Sequence, residues 1–404
     1  MKSIFKILTV SLFLISCSQS GKKAGRYYDD DNMMLVDGKR TFIIGSYHLP
    51  KTDDPYAELS RNGYNYAHAG FDKVQLDNAE KNGLKVWLST GAIDEKDSVK
   101  SKAKISEQVQ KYKDHPALLI WEIADEPAFT WNSVEARVSP QKMERTYDLI
   151  KSIDDSHAVF TNHAPVNLIS TMKKYNPSQD VVGVDVYPVI PHGIVPSYAI
   201  WPDGLQGDLL NPYISQVGEY VDKMKKVVND SKPVFAVLQG FSWEMLKPEA
   251  KRDTAMILYP THEQLRFMAY DAIVHGANGI LIWGTNYTPQ PSKFMNDLNR
   301  VTHELAELQD VLSARTITNS IKKEYIETGH SVDAGVEFIT KKVNGKTYLL
   351  SVNSDKNPVK VTFSGLGSFK LAKVLKEGRA VKIENGEFSE KYAPFDVHVY
   401  EFAE

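Results

Sequence analysis

The sequence predicts an α/β fold: a (β/α)8 barrel followed by a small antiparallel β-sandwich. Three observations carry that prediction. Eight short apolar runs alternate with helical patterns from Thr41 to Leu312, as in a barrel with an outer ring of helices. After Leu312 only strand-like pieces remain. The run Leu118-Leu-Ile-Trp-Glu-Ile-Ala-Asp-Glu-Pro127 ends a buried strand in two adjacent carboxylates and a proline. Carboxylates at the C-terminal end of a parallel strand lie on the face where such barrels hold their chemistry. A length of 404 residues suits a large barrel plus a small module.

The eight expected strands are Thr41–Ser46, Tyr64–His68, Lys85–Ser89, Leu118–Ile123, Ala158–Thr161, Val181–Val186, Val234–Leu238 and Gly279–Trp283. Each is short and rich in Val, Ile, Phe or Trp. Helical spacing of apolar residues runs through Tyr56–Arg61, Gln75–Asn82, Ile105–Tyr112, Pro140–Ile153, Val166–Lys174, Asn211–Val228, His262–His275 and Ser292–Leu312. Gly63, Gly83 and Gly276 follow helix ends, where a left-handed residue closes the last turn. An open doubly wound sheet fits less well. Its first strand would lead into a Gly-rich phosphate loop, and here Ser46-Tyr-His-Leu-Pro50 follows instead. The C-terminal strands are expected at Lys323–Thr328, Gly335–Thr340, Thr347–Val352, Val359–Ser364, Phe369–Lys373, Val381–Ile383 and Val397–Phe402, with Asn344-Gly345 as a hairpin turn. The expected domains are 38–315 for the barrel and 316–404 for the sandwich.

Composition narrows the function. A net charge of -3 gives no electrostatic case for a nucleic-acid partner. Lys2 and Lys6 precede an apolar run, Ile7–Ile15, that is too short to span a bilayer. It ends Leu14-Ile15-Ser16-Cys17, which resembles the lipobox of bacterial lipoproteins. That resemblance implies a signal peptide over 1–17, a lipid on Cys17, and a membrane-anchored protein of the bacterial cell envelope. Cys17 is the only cysteine, so no disulfide forms within the chain. Residues 18–37 read as a polar tether.

In a barrel, the residues just past each strand share one mouth. Here they include Tyr47 and His48, His68, Asp125 and Glu126, Asn162 and His163, Asp185 and Tyr187, Gln239 and Trp283. Hydrogen-bonding groups, acids and aromatic rings around one mouth suit an uncharged polyhydroxy ligand, hence a carbohydrate. No His-x-His stands on the first strand and no bridging Lys at a strand end, which argues against a catalytic metal. No other cofactor is expected. The loop from Pro188 to Pro212 is long and carries Trp201, a candidate sugar platform.

Trp121-Glu-Ile-Ala-Asp-Glu-Pro127 resembles the fourth-strand motif Trp-Glu-x-x-Asn-Glu-Pro of the clan A glycoside hydrolases. The resemblance implies a glycosidase acting on oligosaccharide or polysaccharide. Glu126 would be the general acid/base, Asp125 its substrate-contacting neighbour, and Trp283 the eighth-strand stacking platform. The sequence departs from that pattern at two points. Asp125 stands where the clan has Asn, and Gln239 stands where the seventh strand carries the nucleophilic Glu. An amide cannot form a glycosyl ester.

Three repairs remain open. Asp185, in Gly183-Val-Asp-Val-Tyr-Pro188, can be the second carboxylate, inverting at roughly 6.5–9.5 Å from Glu126 and retaining near ~5 Å. The substrate's own N-acetyl group can attack, oriented by Asp125. Glu244, on the loop after the seventh strand, can reach back. A non-catalytic glycan-binding lipoprotein is the competing function, with Gln239 in its favour.

Overall fold

A computed structural model describes residues 27–130, 135–191, 211–327 and 335–403. Eight parallel strands close into a barrel: β1 Ile43–Ser46, β2 Tyr66–Ala69, β3 Lys85–Ser89, β4 Leu118–Glu122, β5 Ala158–His163, β6 Val181–Val186, β7 Val234–Gln239 and β8 Gly279–Trp283. β8 pairs with β1, Gly279 opposite Ile43, so no edge is left open. Alternation along the strands sorts the side chains. Ile43, Tyr66, Trp87, Ile120, Phe160, Val181, Phe235, Val237 and Leu281 fill the barrel interior. Ile44, Ala67, Val86, Leu88, Trp121, Val159, Val182, Ala236 and Ile280 face the helices.

The principal helices are α1 Pro55–Arg61, α2 Lys73–Lys81, α3 Ser98–Tyr112, α4 Pro140–Ile153, α5 Ile169–Met172, α6 Gln216–Val228, α7 His262–Val274, α8 Lys293–Glu307 and α9 Gln309–Ser313. Side chains of Asp54, Asp72, Asp97, Ser139, Thr261 and Ser292 cap six of their N-termini. α3 begins seven residues before its expected start. Asp97 caps it there, while its buried stripe is only Ile105, Val109 and Tyr112. The helix expected over Val166–Lys174 shrinks to α5 and continues as a 3-10 turn containing Pro177, which cannot donate an α-helical hydrogen bond.

The tether expected over 18–37 gives way to folded chain by Tyr27. Met34–Val36 and Lys39–Thr41 form a hairpin across Asp37-Gly38, both at positive φ. Met34 is fully buried in the same cluster as Ile43, Tyr66 and Trp87, so the hairpin closes the barrel floor opposite the mouth. Cys17 and the segment 1–26 lie outside the described residues.

The chain then forms two antiparallel sheets, from β9 Lys322–Glu327, β10 Val336–Val343, β11 Lys346–Asn353, β12 Val359–Ser364, β13 Leu371–Val374, β14 Arg379–Lys382, β15 Phe388–Tyr392 and β16 Val397–Ala403. One sheet runs β9-β12-β15, the other β10-β11-β16-β13-β14. Leu349, Val361, Phe363, Tyr392, Tyr400 and Phe402 lie in the core between them. β15 was not expected. Its ends, Phe388 and Tyr392, are buried, but Ser389, Glu390 and Lys391 between them hide the strand pattern.

The sandwich docks on α7. Arg266 reaches Glu304 of α8 and the Val397 carbonyl. His275 lies between Asp222 at 2.8 Å and Glu337 at 2.7 Å. Burial opposes charge on its ring, but hydrogen bonds to those acids, with the charges of Asp271 and Glu337, push it up to about 11.

Candidate active site

The inward phase of each strand delivers its last side chain to the mouth. Ile120 leads to Glu122, Phe160 to Asn162, Val181 to Asp185 through Gly183, Val237 to Gln239, and Leu281 to Trp283. Gly183 is required: a Cβ there would lie 2.7 Å from the Phe160 ring and 3.0 Å from the Asn162 amide oxygen. Beyond β4 the chain turns sharply. Glu126 adopts φ 44, a left-handed conformation that a non-glycine residue holds only under constraint. Its N–H donates to the Asn162 carbonyl at 3.0 Å, and its own carbonyl accepts from Phe129 N–H at 3.0 Å.

Asp125, Glu126 and Asp185 line one cavity of about 320 Å³ together with Asn162, Tyr187, Trp243 and Trp283. The Asn162 amide donates to Asp125 at 3.0 Å and to Asp185 at 3.2 Å, clamping two acids from neighbouring strands. The Glu126 and Asp185 carboxyls are hydrogen bonded to each other. Arg137 Nη1 lies 2.8 Å from Glu126 Oε2. Burial, then the charge of Asp125, push Glu126 up to about 7, with Arg137 opposing. Burial, then the charges of Glu126 and Asp125, hold Asp185 well above the usual carboxylate range. Two acids in contact cannot both ionise cheaply, so the pair keeps one proton at neutral pH.

Aromatic rings form the wall opposite. Tyr187 stacks on Trp283 with ring centroids 5.5 Å apart, and the Trp243 indole donates to the Tyr187 carbonyl at 3.2 Å. Phe129, Arg137, Gln216 and Tyr220 also line the cavity.

Beneath the mouth, Glu122 is buried and accepts a hydrogen bond from Ser89, which also contacts His68 Nε2 at 3.1 Å. Burial, then the charge of Asp125, raise Glu122 to about 7. His48 packs near Trp283, 5.8 Å between centroids, and burial, then His68, lower it to about 4. His48 and His68 thus flank the site from the β1–β3 side without lining the cavity.

Two expected contacts are corrected. His163 follows Asn162 by one residue, so it points out of the barrel, fully buried, with Nε2 at 2.8 Å from Gln179. Gln239 lies in the inward phase but has no exposed surface. Its amide accepts from Val189 N–H at 2.9 Å and donates to the Val189 and Phe241 carbonyls at 2.9 and 3.0 Å. It ties the loop after β6 to β7. Glu244 also turns away, bonded to Lys247 and the Asp253 N–H. Trp201 lies outside the described residues. Arg137, Phe129, Gln216 and Tyr220 were not foreseen, because loop and helix-end residues carry no strand-end signal.

The family description "Glycosyl hydrolases family 2, TIM barrel domain" matches residues 68–234. No curated protein matches the chain. Among solved structures, a β-L-arabinopyranosidase of family 27 from Geobacillus stearothermophilus, bound to arabinose, superimposes at TM-score 0.57 and 11% identity, over 92% of this chain and 99% of that one. An α-amylase from Geobacillus thermoleovorans complexed with acarbose gives 0.55 at 10% identity, over 91% and 100%. A family 30 endoxylanase from Clostridium papyrosolvens gives 0.50 at 12%, over 93% and 98%. At these identities the likeness is one of fold.

Proposed function

We propose that the protein is a retaining glycoside hydrolase whose reacting pair is Glu126 and Asp185. The supporting observation is the direct hydrogen bond between these two carboxyls on the floor of an aromatic-walled cavity. A water cannot sit between acids in contact, which disfavours the wide spacing of inverting enzymes and favours the close spacing of retaining ones, roughly 5 Å. One carboxyl protonates the departing glycosidic oxygen while the other attacks the anomeric carbon. Water then releases the sugar from the resulting ester. The strand-end resemblance implies the acid role for Glu126, and the same pair serves the chemistry with the two roles either way round.

Asp125, held by Asn162 and open to the cavity, is suited to binding a sugar hydroxyl. Tyr187, Trp243 and Trp283 offer flat faces for the ring. A cavity of about 320 Å³ is at the small end of ligand pockets and suits a short saccharide unit. The lipobox-like segment ending in Cys17 supports a lipid-anchored enzyme of the bacterial cell envelope.

The test is sugar release from a panel of aryl glycosides and polysaccharides by wild type and Glu126→Gln. Release that survives the substitution would remove Glu126 from the chemistry. Tight glycan binding with no release from any substrate would instead support a non-catalytic binding protein. Turnover confined to N-acetylhexosaminides would favour attack by the substrate's acetamido group, oriented by Asp125.

A further inference from the structure

We infer that Arg137 fixes which acid carries the shared proton: it holds Glu126 ionised, so Glu126 is the nucleophile and Asp185 the acid. This rests on the retaining reading above and reverses the roles that the strand-end resemblance implies.

The asymmetry is geometric. Arg137 Nη1 meets Glu126 Oε2 at 2.8 Å. Among the described residues no cation pairs with Asp185, which is 9% exposed and receives the Asn162 amide. An adjacent guanidinium favours the ionised form of a carboxyl, and burial without a cation favours the neutral form.

The loop after β4 is built to hold this pair. Arg137 N–H donates to the Phe129 carbonyl at 3.2 Å, and Val138 N–H donates to the Pro127 carbonyl at 3.0 Å. The guanidinium carbon lies 4.6 Å from the Phe129 ring centroid. Arg137 binds Oε2, so Oε1 is the oxygen that would attack.

The chemistry balances. Glu126 Oε1 forms a bond to the anomeric carbon as the glycosidic bond breaks, and Asp185 gives its proton to the leaving oxygen. Asp185, now a carboxylate, takes a proton from water. The resulting hydroxide bonds to the anomeric carbon, the ester bond breaks, and Glu126 is again ionised and Asp185 protonated. Arg137 stays bound to Oε2 throughout and stabilises the departing carboxylate. It is a positioning residue.

The experiment is covalent trapping. The probe is the 2,4-dinitrophenyl 2-deoxy-2-fluoro glycoside of whichever sugar the aryl panel releases, or of glucose, galactose and arabinose in turn if none is released. Peptide mapping should place the adduct on Glu126. Asp185→Asn should keep dinitrophenyl release while losing at least ~100-fold on unactivated glycosides, since only a poor leaving group needs the acid. Arg137→Gln should move the acidic limb of kcat/KM upward by about one pH unit, and Arg137→Lys should restore most of it. A purely structural role for Arg137 would leave that limb in place. An adduct on Asp185 overturns the role assignment and keeps the glycosidase reading. No adduct and no release from any probe overturn both.

Discussion

Replacing Asp125 with Asn restores the amide of the motif that the β4 end resembles and removes one negative charge beside Glu126. In the proposed mechanism the active pair has Glu126 ionised and Asp185 protonated. kcat/KM should therefore rise with pH through about 7, where Glu126 ionises, and fall when Asp185 loses its proton at higher pH. The charge of Asp125 is second only to burial in holding Glu126 up. Two unit charges roughly 6 Å apart repel by about 2.8 kcal/mol at an effective dielectric near 20. Asp125 is exposed at the cavity floor, so water screens about half of that, leaving ~1.4 kcal/mol, about one pH unit. In Asp125→Asn the rising limb should move about one unit to lower pH. The side chain keeps its size, and its amide oxygen can still accept from Asn162. The assay is kcat/KM on one aryl glycoside from pH 4 to 10. A limb that stays in place, or moves up, would refute the electrostatic coupling of Asp125 to Glu126.

Three further outcomes follow from the same geometry. Gln239→Glu, which installs the carboxylate the seventh strand lacks, should not raise activity and should lower stability by about 2–4 kcal/mol in urea titration. The new charge would face the Val189 and Phe241 carbonyls with no exposure to water. His275→Ala should weaken the barrel–sandwich contact by about 3 kcal/mol at pH 6, judged by the same titration. Because the folded imidazole titrates near 11 against an ordinary 6.5, its contribution is full below about pH 6.5 and is lost as pH rises through 11. The gap between wild type and variant should narrow by pH 10. Trp283→Ala should raise KM about 10-fold with a smaller effect on kcat if the indole that lines the cavity beside Tyr187 is the proposed sugar-binding surface.

The barrel strands were legible because each is a short apolar run, and period-two alternation then fixes which side chains reach the mouth. That rule brings Asn162, Asp185, Tyr187 and Trp283 to one cavity. It also shows why His163 fails: one residue past Asn162, it faces Tyr175 and the helix layer. Gln239 obeys the phase yet is sealed by the loop after β6, a contact 50 residues away that no local pattern reveals. Arg137 was illegible for a related reason. Its partner is 11 residues back across a loop, and only the folded turn at Glu126 joins them. The first strand of the N-terminal hairpin, Met34–Val36, is hidden inside the expected tether of 18–37 because the polar Asp29-Asp-Asp-Asn32 and Asp37-Gly38 flank it, although Met34 closes the barrel floor.

The central claim is that two carboxyls in contact, Glu126 and Asp185, attack and protonate the same glycosidic bond. The configuration of the first-formed sugar tests it most directly, read by proton NMR within minutes of adding enzyme to an aryl glycoside, before mutarotation. The account predicts that the product appears first as the anomer of the substrate, with the other anomer growing in later by mutarotation. Initial release of the opposite anomer would contradict it, because inversion needs a water between acids that here touch each other.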